Sequence, residues 1–368
     1  MDGRDRFILL DGLRGVAAVA VLLYHLHHWD GGPELFARGY LAVDLFFCLS
    51  GFVLAHAYGA RLASGEMGFG AFLLARLVRL WPMIALSALL YALYLTAKSA
   101  MGVEPVPLGA VLRALVSGLA LVPWFDAPAI VGGPEVFPIN GPLWSLWLEL
   151  WANLLWAPLI LVLTPYRMIV IVAASAALLG AAWALHGQPL HGNLSGTALW
   201  GAPRVVLSFL LGVLIHRARG AQRPSPLGAA LLIALALGAM ALPLGLGPAP
   251  DMVFVLVVSP LIVAWGARVA VTGATAIRAC AALGAVSYPL YLLHFPLFAW
   301  INGTLEVAGL EGPGAPRQLA MAAAIIALSA LCLRLYDAPM RAWARRRLRG
   351  ARPAGGAAGR PSAPQPRA

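Results

Sequence analysis

A chain of 368 residues that is 61% hydrophobic and only 11% charged, with mean hydropathy +0.82, is excluded from the soluble globular class, in which about a quarter of residues are charged. Its net charge of +11 needs no nucleic-acid partner, because the basic residues sort by membrane topology. Cys48, Cys280 and Cys332 all lie in apolar runs with no CxxC spacing, which argues against a disulfide framework or a cysteine metal site.

Hydropathy predicts ten spans, at 7–28, 40–58, 79–97, 143–163, 168–185, 200–216, 227–244, 252–272, 280–302 and 318–336, with 168–185 and 200–216 near the lower length limit. Segment 109–123 is too short and carries Arg113, so it reads as interfacial or re-entrant. With the N-terminus inside, 19 of the 26 Lys and Arg residues fall on the inner side, against five outside: Arg38, Lys98, Arg113, Arg204 and Arg317. Arg14 and Arg334 lie within spans. The bias predicts N-in and C-in. Segment 98–142, rich in Pro and Gly, is placed to cap a cavity. The first run is too long for a signal-peptide core and no small-residue cleavage site follows HLHHWD. No internal repeat is visible, which disfavours a transporter built from inverted halves. The predicted fold is an all-α integral membrane protein of about ten transmembrane helices around a polar cavity. The tail 341–368, rich in Arg, Pro, Ala and Gly, is expected to be disordered and held near anionic headgroups.

Ionisable residues inside spans cost several kcal/mol unless they face a protein interior, so they are functional candidates by default. The first span, FILLDGLRGVAAVAVLLYHLHH, holds Asp11, Arg14 and His25. Arg14 and His25 are 11 residues apart, nearly three turns, so they share a face about 16 Å apart along the axis. Histidine is the side chain whose unperturbed form titrates near neutrality, so His25 is the candidate base. In the second span Asp44 is placed to orient a histidine or to pair with a charge such as Arg14; Ser50 is its other polar member. Arg76 and Arg79 share a face at i, i+3 on a short helix expected to end near Pro82; they suit a phosphate clamp or inner-side anchoring. Ser145, Glu149 and Asn153 form one stripe at i, i+4, i+8 among tryptophans, and Glu149 must face the interior. Ser287, Tyr291 and His294 share a face near Pro289 and Pro296. Arg334 and Asp337, at i, i+3, are expected to pair. His25, His27 and His28 with Asp30 and Glu34 invite a metal reading, but they end at an outer interface without a defined ligand set, and no metal is expected.

Five motifs in order carry a resemblance: LDGLRGVAAVAVLLYH (10–25), GYLAVDLFFCLSGFV (39–53), RLVRLWP (76–82), GPLWSLWLEL (141–150) and SYPLYLLHFPL (287–297). Together they resemble the membrane-bound acyltransferase 3 family, which includes bacterial O-antigen, exopolysaccharide and macrolide O-acylases, over residues 5–340. The resemblance implies transfer of an acyl group, usually acetyl, from cytosolic acyl-CoA to a hydroxyl of a glycan or lipid-linked sugar in a bacterial cytoplasmic membrane. It implies essential roles for Arg14 and His25 and an association of Arg76 and Arg79 with acyl-CoA. The family's Tyr-x-x-Glu-x-Pro ending is here the compressed Tyr336-Asp337-Ala338-Pro339.

The resulting assignment has His25 as base with Asp44 or Glu149 supporting it, Arg14, Arg76 and Arg79 on the donor, and Ser145, Tyr291 and His294 on the acceptor. His25 lies about 27 Å along the axis from Phe7, so the pantetheine arm must thread a tunnel, or His25 must relay the acyl group covalently. The competing readings are a proton-coupled permease, and an acyltransferase for a small metabolite such as a macrolide sugar.

Overall fold

The computed structural model describes residues 7–186, 192–310, 312 and 314–350. Among them the chain is a helical bundle whose only ladder is a two-residue parallel pair, Arg223–Pro224 with Val269–Ala270. In chain order the helices are α1 (Ile8–Asp30), α2 (Gly39–Ala63), α3 (Phe69–Ala100), α4 (Leu108–Ala120), α5 (Leu143–Leu159), α6 (Pro165–His186), α7 (Ala198–Arg217), α8 (Pro226–Met240), α9 (Ala249–Gly266), α10 (Ala274–Val307), α11 (Ala315–Cys332) and α12 (Ala338–Gly350). A π turn over Leu333–Asp337 joins α11 to α12.

Eight of these helices are long and apolar enough to cross a membrane, α11 and α12 counting as one. The two expected spans outside that set are α5 and α8, with 17 and 15 residues; at 1.5 Å per residue they reach about 25 and 22 Å, somewhat less than a typical hydrocarbon core. α4, with 13 residues, is shorter still.

Two expectations about elements are corrected. The helix bearing Arg76 and Arg79 does not end near Pro82; α3 runs through that proline for 32 residues. Pro82 is buried, and transmembrane helices tolerate the break where neighbouring helices surround it. The chain past residue 340 does not leave the fold at once, because α12 continues helically to Gly350; the rest of the predicted tail lies outside the described residues.

α1 is the axle of the bundle, with Leu13, Ala17, Ala20, Leu22 and Leu26 fully or almost fully buried. Its principal partner is α10. The two run parallel, with Asp11 and Gly15 beside Gly284 and Leu283, and His25 beside His294 nearer their C-terminal ends. Their backbones approach so closely that a Cβ on Gly15 would stand 2.5 Å from the Leu283 carbonyl carbon. α2 packs on α7 in the same manner, where a Cβ on Gly212 would stand 2.0 Å from the Cys48 carbonyl oxygen. Small residues at such crossings replace the hydrophobic driving force that lipid does not supply.

Candidate active site

The polar residues of α1, α2, α3, α5 and α10 converge on the bundle interior in three neighbouring cavities. The first, of about 590 Å³, opens at the end of the bundle where α3 begins and is lined by Tyr58, Arg76, Arg79, Arg341 and Arg345. The second, of about 170 Å³, shares Val53, Arg76 and Arg79 with the first and adds Arg14, Ser50, Ser145, Glu149, Ser287 and Tyr288. The third, of about 130 Å³, shares Val43 and Tyr291 with the second and is lined by His25, Tyr24, Trp29, Tyr40, Glu135, Trp144 and Arg204. Arg14 and His25 therefore face different chambers of one series.

His25 stands in the third cavity with its ring stacked on Trp29, centroids 4.9 Å apart. Its Nδ1 lies 3.0 Å from the Val21 carbonyl oxygen and 3.2 Å from Nε2 of His294. Nδ1 of His294 in turn lies 3.2 Å from the Leu290 carbonyl oxygen. A carbonyl only accepts, so the proton of each neutral ring belongs on Nδ1. His294 Nε2 is then the acceptor from His25, and His25 Nε2 is left with a free lone pair. That arrangement makes Nε2 a base, with His294 fixing its tautomer as a second-layer partner does.

The two carboxylates expected to support His25 are engaged elsewhere. Asp44 is fully buried and takes both oxygens to Arg204, with Nε at 3.1 Å from one of them. Glu149 accepts from Ser50 at 2.7 Å and from Arg76 at 3.1 Å. The reason is helical register: the stripe Ser145, Glu149, Asn153 faces α2 and α3 at Glu149's level, while Asp44 on α2 meets α7. Each acid holds a guanidinium at a cavity wall, Arg204 in the third and Arg76 in the first two.

Arg14 donates to Ser287 Oγ at 3.0 Å and to the Gly284 carbonyl at 3.1 Å, and pairs with Asp11 at 3.0 Å. Ser145 and Tyr291 share a hydroxyl hydrogen bond of 2.7 Å at the boundary between the second and third cavities. Ser287, Tyr291 and His294 thus do share one face of α10, each meeting a polar partner there. The expected Arg334–Asp337 pair does not form: Asp337 binds Arg341 at 2.6 Å and faces Arg79 at 3.9 Å. The π turn adds a residue to that turn and moves Arg334 out of register with it.

Sequence reasoning passed over four residues of this site. Trp29 sits four residues after His25, a spacing that signals the stack. Arg204 and Arg341 read in the sequence only as loop and tail charges. Glu135 lies in the segment proposed as a cap, its Oε2 packed where a Gly141 side chain would stand. Burial pushes its carboxyl up to about 7. Among the described residues its carboxyl has no hydrogen-bond or ion-pair partner, and no three His, Cys, Asp or Glu side chains gather as a metal would require.

A family model described as an acyltransferase domain matches residues 7–334. The chain is 39% identical over 190 residues to "Protein 2 in picA locus" of Rhizobium radiobacter, covering 48% of this chain and 93% of that protein. It is 29% identical over 361 residues to "Acyltransferase MdmB" of Streptomyces mycarofaciens, covering 87% of each. No solved structure matches. A helical bundle of this apolarity, matched by the family model over nearly its whole length, belongs to the acyltransferase 3 family and is a multi-pass membrane acyltransferase.

Proposed function

We propose that this acyltransferase takes an acyl group, acetyl in the simplest case, from acyl-CoA held at Arg76 and Arg79, and delivers it through the second cavity to a sugar hydroxyl beside His25. The observation that carries this reading is the series of three cavities, arginine-lined at one end and holding the free Nε2 of His25 at the other. The walls these cavities share support a route for the acyl group from the arginines to His25.

In the reaction, His25 Nε2 removes the proton of the acceptor hydroxyl as its oxygen attacks the thioester carbonyl carbon. The carbon–sulfur bond breaks, and the imidazolium returns its proton to the departing thiolate. General-base help of this kind is worth about 10²–10⁴-fold. His294 accepts from the imidazolium's Nδ1–H and steadies the ring. Arg14 stands in the middle cavity, within reach of the donor's amide and carbonyl oxygens. The aromatic walls of the third cavity, Tyr24, Trp29, Tyr40 and Trp144, suit the apolar face of a sugar ring.

The reading places the arginine-lined mouth in the cytosol of a bacterial cell and the His25 chamber toward the outside. The distribution of Lys and Arg, 19 on the inner side against five outside, supports that orientation. Each of the five expected outer cations has an acidic partner: Arg38 with Asp251, Lys98 with Glu104, Arg113 with Asp126, Arg204 with Asp44 and Arg317 with Asp30.

The test is label transfer from radiolabelled acetyl-CoA by protein purified into nanodiscs, with CoA binding measured in parallel. We expect His25→Ala to abolish release and transfer of label while CoA still binds. Turnover that survives the substitution would remove His25 from the chemistry. Wild-type protein that neither binds nor consumes acyl-CoA, yet moves protons or solutes, would favour a permease.

A further inference from the structure

We propose that the C-terminal helix α12 forms one wall of the donor site, with Arg341 and Arg345 gripping the phosphates of the nucleotide end of CoA opposite Arg76 and Arg79. The inference rests on the donor reading above and adds residues that lie beyond the family match at 334.

The first cavity is the largest of the three in the series and the most basic. α3 supplies Arg76 and Arg79 at i, i+3, and α12 supplies Arg341 and Arg345 at i, i+4, so each helix turns one two-arginine face into the same space. Among the described residues two carboxylates touch this group: Glu149, held by Arg76, and Asp337, held by Arg341 and facing Arg79. Four guanidiniums against two carboxylates leave about two uncompensated positive charges around a space of about 590 Å³. Arg345 has no ion-pair partner among the described residues; its Nε bonds only to the Arg341 carbonyl, at 3.1 Å. Nη1 of Arg79 is buried and makes no hydrogen bond among the described residues, with the Asp337 carboxylate 3.9 Å away. Guanidinium forks left open in this way match phosphate oxygens.

Asp337 gives the arrangement its rigidity. It is fully buried at the π turn, where it ties the start of α12 to α3 through Arg341 and Arg79. The acid of the compressed Tyr-Asp-Ala-Pro ending therefore spaces two basic side chains on facing walls. The ligand this cavity fits is a flexible polyanion carrying several phosphates on an apolar-tolerant stem, because the walls between the arginines are Val53, Leu54, Ala71 and Leu74. An anionic lipid headgroup shares the phosphate chemistry, and the experiment separates the two sources.

CoA affinity is measured for the full chain in nanodiscs of zwitterionic lipid, for wild type, Arg345→Glu, Arg345→Gln and Arg79→Gln, with pantetheine as the phosphate-free control. Arg345 is solvent-exposed, so its replacement leaves the fold intact. We expect Arg345→Glu to weaken CoA about ten-fold or more and Arg345→Gln less, the loss of one charge-assisted phosphate contact, with pantetheine affinity unchanged. Wild-type affinity in both Arg345 variants alongside a loss in Arg79→Gln would overturn the role of α12 while the donor reading survives. No CoA binding by wild type would overturn both. Unchanged CoA affinity with loss of co-purifying phosphatidylglycerol in Arg345→Glu would assign the arginine to lipid instead and overturn the proposal.

Discussion

Asp44 and Glu149 show why a buried carboxylate must be judged by its partner. Asp44 is buried with Arg204, itself only 4% exposed in its side chain, and breaking such a pair leaves an unpaired charge at a cost of about 3–5 kcal/mol. Asp44→Asn should therefore lower the melting temperature in nanodiscs, and Asp44→Leu combined with Arg204→Met should recover much of the loss. If Asp44 instead served His25 directly, the Asn variant would melt normally and fail only in turnover. Glu135 makes a separate prediction. Burial raises its carboxyl from 4.5 to about 7, so the folded protein holds a proton that the unfolded chain has released. Stability then falls as pH rises from about 4.5 through about 7 and levels off above. Melting temperatures at about pH 5 and about pH 8 should differ less in Glu135→Gln than in wild type, and an equal difference would remove Glu135 as the source. His25, Arg14 and the arginine pair were legible as candidates because a charge in an apolar run is costly wherever it falls. Their partners were not: Asp44 and Arg204 are 160 residues apart, and nothing in a single span says which helix it will face.

At the scale of elements, hydropathy located the helices because lipid imposes length and apolarity on each one separately. It misplaced boundaries where tertiary contacts overrule local signals, as at Pro82 inside α3 and at the π turn before α12. The α2–α7 crossing is the most exacting joint, since Gly212 sits against the Cys48 carbonyl and the same two helices carry Asp44 and Arg204. Gly212→Leu should force them apart, cost about 3 kcal/mol or more, and reduce the yield of monodisperse protein. Gly238→Leu on α8, where a Cβ meets nothing within 4 Å, should change stability by less than about 0.5 kcal/mol. Equal tolerance of both would show that the two helices do not approach as described.

For the whole molecule, the account requires a donor and an acceptor to meet inside the bundle from opposite ends. Neither the three-cavity series nor the charge pairing of the outer cations was readable from the sequence, because both depend on which helices become neighbours. Val43 and Tyr291 form the partition between the middle chamber and that of His25, so the partition is where the claim is most exposed. The decisive measurement is acetyl transfer by Val43→Trp with CoA binding as its control. The account predicts that CoA still binds at the arginine-lined mouth while transfer falls to the level of His25→Ala. Transfer at the wild-type rate with the passage filled would contradict it, and would mean that the acyl group reaches its acceptor by another route.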